Sequence, residues 1–286
     1  MEENKPEHQE QERTVETAWV FDVDGVISNP QEKKVTESEI LDHIAQKLEA
    51  GEPVAFNTGR SIPWVLIRVI NPLLEIISDK KYLANLFTVG EKGGTWLTFK
   101  DDGTIEHSKN KSISVPQSLQ QQVERIVETE YADSMFYDQS KETMISIEMK
   151  DGYDVKEYRK RQEVLSKILQ DLIEQESLAE QLKIDPTTIA TDVQNMHVGK
   201  DFAAERISRW FEKKGIKPQK VFAVGDSPSD IAMAEKFHEK GYQVEFGYVG
   251  TNKLPKENYS FAVTRTDNKF DKGAVEFLRR TSPVQG

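Results

Sequence analysis

A chain of 286 residues with 37% hydrophobic and 30% charged residues has the ordinary balance of a soluble protein and room for one large domain or two moderate ones. Its net charge of -11 argues against a nucleic-acid surface, which needs a basic patch for phosphate contacts, but leaves open a small anionic substrate met by a metal and a few cations. The lack of cysteine rules out disulfides, zinc–thiolate sites and cysteine nucleophiles. No apolar run approaches the length of a membrane span, and the start of the chain lacks the basic and apolar regions of a signal peptide, so the cytoplasm is the expected location.

Residues 1–17 hold six acids and two bases with little apolar content, which predicts a solvated, disordered acidic tail. Residues 19–28 follow, Trp-Val-Phe-Asp-Val-Asp-Gly-Val-Ile-Ser, an apolar strand with Asp22 and Asp24 at its C-terminal end. A buried strand has no structural use for two acids, so something cationic is expected there. Alternation along a strand predicts that both carboxylates point to one side, and Gly25 permits a sharp turn after them. Residues 36–39 have the spacing of a capping box, followed by a helix whose stripe is Ile40, Leu41, Ile44 and Leu48 and which ends at Gly51. A strand over 53–56 then runs into Asn57-Thr58-Gly59-Arg60. The βαβ unit so formed should be right-handed, with both strand ends on one edge of the sheet.

Residues 61–81 read as helical, with a break and restart at Asn71-Pro72. The pattern then becomes a meander of short strands over 87–99 with turns at 91–94 and 101–103. An amphipathic helix carries Leu119, Val123, Ile126 and Val127, strands follow within 134–149, and a long charged helix spans 155–182 on a stripe of Val164, Leu165, Ile168, Leu169, Leu172 and Ile173. Residues 187–198 close the segment as one or two strands. Alternation of helix and strand then resumes: a helix from Lys200 with Phe202, Ile207, Trp210 and Phe211, a strand over 220–224 ending in Gly225-Asp226-Ser227-Pro228-Ser229-Asp230, a helix to about 240, strands over 244–248 and 261–264, and a last helix over 273–280. The expected architecture is α/β: a Rossmann-like, doubly wound, mostly parallel sheet core over 18–86 and 197–286, with an α+β cap domain over 87–196 inserted in it.

Asp22 with Asp24, Thr58 with Arg60, Lys200, and Asp226 with Asp230 stand at strand ends or just after them, in that order. The set resembles the haloacid dehalogenase (HAD) superfamily of phosphotransferases, through Asp-Val-Asp-Gly-Val, Asn-Thr-Gly-Arg, Lys200 and Gly-Asp-Ser-Pro-Ser-Asp. The inserted segment looks like a type C2B cap of the Cof-like and sugar-phosphatase branches, and residues 91–94 are similar to a Glu-Asn-Gly-Ala segment common there, with the second and fourth positions changed. Val26 stands where many relatives have threonine, and Ser229 where Cof-like members usually have asparagine.

The resemblance implies that Asp22 attacks phosphorus to form an aspartyl-phosphate and that Asp24 protonates the leaving oxygen, then deprotonates water. It implies Mg²⁺ as cofactor, held by Asp22, the Asp24 backbone carbonyl and Asp226, with Asp230 as a further ligand or a support. Thr58, Gly59 and Lys200 are the expected phosphate-binding residues, and Arg60 either joins them or pairs with a cap acid. Taken alone, each has a plainer role: Thr58 as a helix cap, Lys200 as a surface lysine, Asp230 as a first-turn acid, His197 as a structural histidine. The expected activity is Mg²⁺-dependent hydrolysis of a small phosphorylated metabolite, most plausibly a sugar phosphate. A phosphomutase of the phosphomannomutase type and a catalytically idle binding protein are the alternatives, the second disfavoured by the presence of both Asp22 and Asp24. Residues 144–149 together with Lys92, Gly93 and Gly94 are candidates for the cap's specificity set, and the sequence is silent on oligomeric state.

Overall fold

A computed structural model describes residues 13–281. The first strand, β1 (Arg13–Phe21), begins well before the apolar run: residues 13–17 are not tail but strand, running parallel to residues 216–224 from Arg13 opposite Ile216 to Phe21 opposite Val224. The remainder of the expected tail lies outside the described residues. Then come α1 (Ser38–Glu49), β2 (Val54–Asn57), α2 (Ile62–Val65), a π turn (Leu66–Ile70), α3 (Asn71–Ile76), a 3₁₀ turn (Lys80–Asn85) and β3 (Leu86–Gly90). β4 (Thr95–Phe99), β5 (Ile105–Lys109), α4 (Gln117–Glu130), β6 (Met135–Tyr137), β7 (Ile145–Met149), α5 (Val155–Gln175), β8 (Leu182–Pro186) and β9 (Ala190–Asn195) make up the middle of the chain. It ends with α6 (Lys200–Lys213), β10 (Ile216–Gly225), α7 (Ile231–Glu239), β11 (Gln243–Tyr248), β12 (Ala262–Arg265) and α8 (Phe270–Thr281).

Among the described residues the strands form two sheets: one in the order β12-β11-β10-β1-β2-β3-β4-β5 and one in the order β6-β7-β9-β8. The first is parallel from β12 to β3 and antiparallel at β4 and β5. Strand alternation explains its two cores. Trp19 and Phe21 of β1 point to the face covered by Ile40, Ile44, Leu48, Val69, Phe277 and Leu278, while Ala18 and Val20 point to the face covered by Ile207, Phe211, Met233 and Phe237. The chain leaves β1 for β2 on one side and returns to β10 on the other. The crevice this creates lies at the C-terminal end of β1, where open α/β sheets bind their ligands.

Three expectations are corrected here. The meander of β3, β4 and β5 extends the large sheet instead of belonging to the inserted unit, because β3 pairs with β2 in register Val54 opposite Leu86. The separate unit is the second sheet with α4 and α5 packed on it around Leu119, Val123, Ile147, Tyr158, Leu165, Leu169 and Val193. The long helix stops at Gln175, seven residues before Leu182, since Ser177 takes a left-handed conformation (φ 58°) and Leu182 opens β8; Val164, counted in its stripe, is 55% exposed. The capping box at α1 does not form. Glu37 is the cap residue without a side-chain bond, while the Thr36 hydroxyl donates to Asp271 and Glu39 pairs with Arg279.

Candidate active site

β1 stops at Phe21, and the Asp22 amide continues the ladder by donating to the Val224 carbonyl at 2.9 Å. This bond draws the ends of β1 and β10 together, so that Asp22 and Asp226 emerge side by side. Gly25 is required by this approach: its φ is +74°, and a Cβ there would fall 2.3 Å from Asp226 Oδ2. Because the strand has already ended, alternation no longer governs Asp24. Asp22 pairs with Lys200 and Asp24 with Arg60, two distinct ion pairs at the end of one strand.

Lys200 opens α6 and is fixed by exchange with the end of β2: its Nζ donates to the Asn57 carbonyl at 2.8 Å, and Asn57 Nδ2 donates to the Lys200 carbonyl at 2.9 Å. The same Nζ lies 2.6 Å from Asp22 Oδ1 and 2.9 Å from Asp230 Oδ1. Burial works against this ammonium, but Asp22 and Asp230 more than offset it and hold its pKa above the usual lysine range. The surface-lysine role is therefore wrong for Lys200.

Asp230 Oδ2 accepts from the Asp226 and Ser227 amides and from the Ser227 hydroxyl, at 3.1, 2.9 and 2.9 Å. One oxygen thus shapes the loop that carries Asp226, while the other faces the lysine; Ser229 adds a hydroxyl contact to Ser227 at 2.7 Å. Asp22, Asp226 and Asp230 each place a carboxylate oxygen within 4.8 Å of the others. Three carboxylates against one ammonium leave two negative charges uncompensated, the charge of one divalent cation. Burial pushes the Asp22 carboxyl well above the usual carboxylate range against the pull of Lys200, and burial with Asp230 pushes Asp226 up to about 7. A set of hard oxygen donors with this charge deficit fits a magnesium-sized cation.

Thr58 is fully buried, with its hydroxyl accepting from the Arg60 amide at 3.1 Å. It caps no helix; that role falls to Ser61, which accepts from the Trp64 amide. Gly59 lies beneath the Lys92 side chain, and its carbonyl accepts from Lys141 Nζ. Arg60 spans both units. Its Nε and Nη2 donate to the two oxygens of Asp24 at 2.9–3.1 Å, its Nη1 lies 3.4 Å from Glu148 Oε1 on β7, and Trp64 lies under the guanidinium at 4.7 Å. Arg60 thus pairs with an acid of each unit, Asp24 and Glu148. His197 is exposed and lies outside these contacts.

The sequence reading missed the partners that join the two units. Glu91, buried and in a left-handed turn (φ 49°), accepts from the amides of Glu142 and Thr143 and from the Thr143 hydroxyl at 2.7–3.2 Å. Lys92 reaches Asp185, Asp192 and Gln194 on β8 and β9 at 2.7–3.1 Å. The one available signal was the run Glu91-Lys92-Gly93-Gly94 itself, charges followed by glycines where an exposed turn would look the same.

Solved structures similar to this one include the C-terminal domain of trehalose-6-phosphate phosphatase from C. albicans (TM-score 0.66, 15% identity, 95% of this chain and 94% of that one). A haloacid dehalogenase-like hydrolase from Bacteroides thetaiotaomicron (0.63, 12%, 93% and 100%) and a protein from Thermoplasma acidophilum (0.58, 14%, 94% and 98%) share the fold as well. No curated protein matches the chain. Residues 19–244, from the middle of β1 into β11, match the sequence pattern of haloacid dehalogenase-like hydrolases, and this chain belongs to that family.

Proposed function

We propose that this hydrolase is a Mg²⁺-dependent phosphomonoesterase acting on a small phosphate ester, a sugar phosphate, and that the unit built on the second sheet is its cap. The observation that carries the reading is the convergence of Asp22, Asp226 and Asp230 on Lys200, with Asp24 two residues on and held from the other side by Arg60. Asp22, the Asp24 carbonyl and Asp226 would hold the ion, with Asp230 supporting the loop. When bound, Mg²⁺ supplies the positive charge that lets a carboxylate approach a phosphate dianion.

The remaining work falls to the chain. Asp22 attacks phosphorus and carries the phosphoryl group as an acyl phosphate, replacing one slow hydrolysis by two faster displacements. Lys200 steadies the transferring oxygens as a compact charge, and the Thr58 hydroxyl and nearby amides donate to them. Asp24 gives its proton to the leaving oxygen and takes one from water in the second step, so its orientation matters, and Arg60 fixes both of its oxygens. The trehalose-6-phosphate phosphatase neighbour motivates the sugar-phosphate choice only as an analogy.

The test is phosphate release from sugar phosphates, phosphoglycolate, nucleotides and an aryl phosphate, with Mg²⁺ and with EDTA. The reading predicts EDTA-sensitive release without a bisphosphate activator, strongest on one sugar phosphate. Metal-independent release, or none from any ester by the folded protein, would contradict it.

A further inference from the structure

β7 and β9 of the cap sheet divide their side chains cleanly. Ile145, Ile147 and Val193 are buried against α4 and α5, whereas Ser146, Glu148, Asp192 and Gln194 point the other way, toward the core. Asp185 of β8, opposite Asp192, belongs to this second face. Its groups are mostly hydrogen-bond acceptors. The core cations that reach it, Arg60 and Lys92, already have internal carboxylates: Asp24 and Glu148 for the first, Asp185 and Asp192 for the second.

Building on the phosphatase reading above, we propose that Glu148 determines substrate specificity by restricting the enzyme to phosphate esters whose leaving group is uncharged and hydroxylated. Asp24 must reach the leaving oxygen, and a single guanidinium separates Asp24 from Glu148, so the first atoms of the leaving group lie against the Arg60–Glu148 pair. A substrate with a second anion there has to take Arg60 from a carboxylate that is already tethered beside it and therefore acts at high effective concentration. Success would strip Glu148, only 14% exposed, of its one salt-bridge partner and leave it only the less direct charges of Lys141 and Lys33. Burial raises the pKa of Glu148 despite Arg60, Lys141 and Lys33, so its charge depends on the cations around it. A neutral polyol meets no such penalty, and its hydroxyls find acceptors in Glu148, Asp192 and Asp185.

Glycerol 3-phosphate and 3-phosphoglycerate differ by a hydroxymethyl group against a carboxylate and make a matched pair. The wild-type enzyme should favour the first by at least about 100-fold in kcat/KM; Glu148→Gln should shrink that ratio at least tenfold, and Glu148→Asp should keep most of it. The same two ligands titrated calorimetrically with Mg²⁺ into Asp22→Asn, with and without Glu148→Gln, read the selectivity without turnover. Equal use of both ligands by the wild type, or a ratio that Glu148→Gln leaves unmoved in both assays, overturns the proposal. Glu148-dependent binding selectivity with no turnover of any ester would sink the phosphatase reading alone.

Discussion

Lys47 shows how a single buried group writes itself into the pH dependence of stability. Its ammonium sits 3.6 Å from the centroid of the Trp19 ring, and burial, opposed by Glu52, lowers its pKa to about 8. The unfolded chain, with an ordinary lysine, binds more protons than the folded one between pH 8 and about 10.5, so stability contributed at this residue rises with pH across that window and is flat below it. Relative to Lys47→Met, the wild type should gain on the order of 1 kcal/mol between pH 7.5 and 10 in urea denaturation. Parallel behaviour of the two proteins would contradict the assignment. At this same scale the acids of the candidate site were legible in the sequence, since Asp22, Asp24 and Asp226 follow apolar strands where carboxylates have no packing role. Their partners were not. Glu148 lies 88 residues from Arg60 and Asp192 lies 100 residues from Lys92, and only the folded sheets bring them together.

Among elements, α5 separates what periodicity can and cannot say. Its start is local: Asp154 accepts from the Lys156 and Glu157 amides, as an N-cap should. Its end is not, because Leu178 and Leu182 prolong the apolar spacing and no glycine or proline marks the stop at Ser177. The stripe itself yields a prediction: Leu165→Ala, at a fully buried position, should cost about 2–5 kcal/mol, and Val164→Ala, one residue earlier but exposed, should stay within about 0.5 kcal/mol. Thermal melts of the two variants check this, and equal shifts would mean the helix face is wrongly placed. The β3–β5 meander teaches a related lesson. Alternation identified its strands, but nothing local decides which sheet receives an edge strand, and the pairing of β3 with β2 settles it for the core. At α1 the local signal was overruled outright, since Thr36 and Glu39 are engaged by Asp271 and Arg279 of α8.

Across the whole molecule, the unit built on the second sheet is tied to the core by polar contacts around the strand ends. Glu91 binds the 142–143 backbone, Lys92 binds β8 and β9, Arg60 binds β7, Ser61 meets Ser140 at 2.7 Å and Lys33 meets Asp151 at 3.3 Å. Apart from Lys33, these contacts come from residues 60–61, next to Thr58 in the candidate site, and from 91–92, whose Lys92 side chain lies over Gly59. The position of the second unit and the geometry of the candidate site are therefore set together, a link that the separate motifs of the sequence could not reveal. Glu91 is the most buried of these ties, and Glu91→Ala leaves two amides and a hydroxyl without their acceptor. It should lower stability by about 1–3 kcal/mol and expose the 138–143 segment to proteolysis, read by melting and by limited digestion. An unchanged melt and digestion pattern would show that Glu91 does not hold the units together.

The central claim, that Asp22 is the group to which phosphate is transferred, is tested most directly by phosphate release from the best ester with Mg²⁺, comparing wild type with Asp22→Asn. The account predicts a loss of at least about 10⁴-fold with the folded structure intact by circular dichroism, because the amide keeps the shape but not the nucleophile. Activity within tenfold of wild type would contradict it.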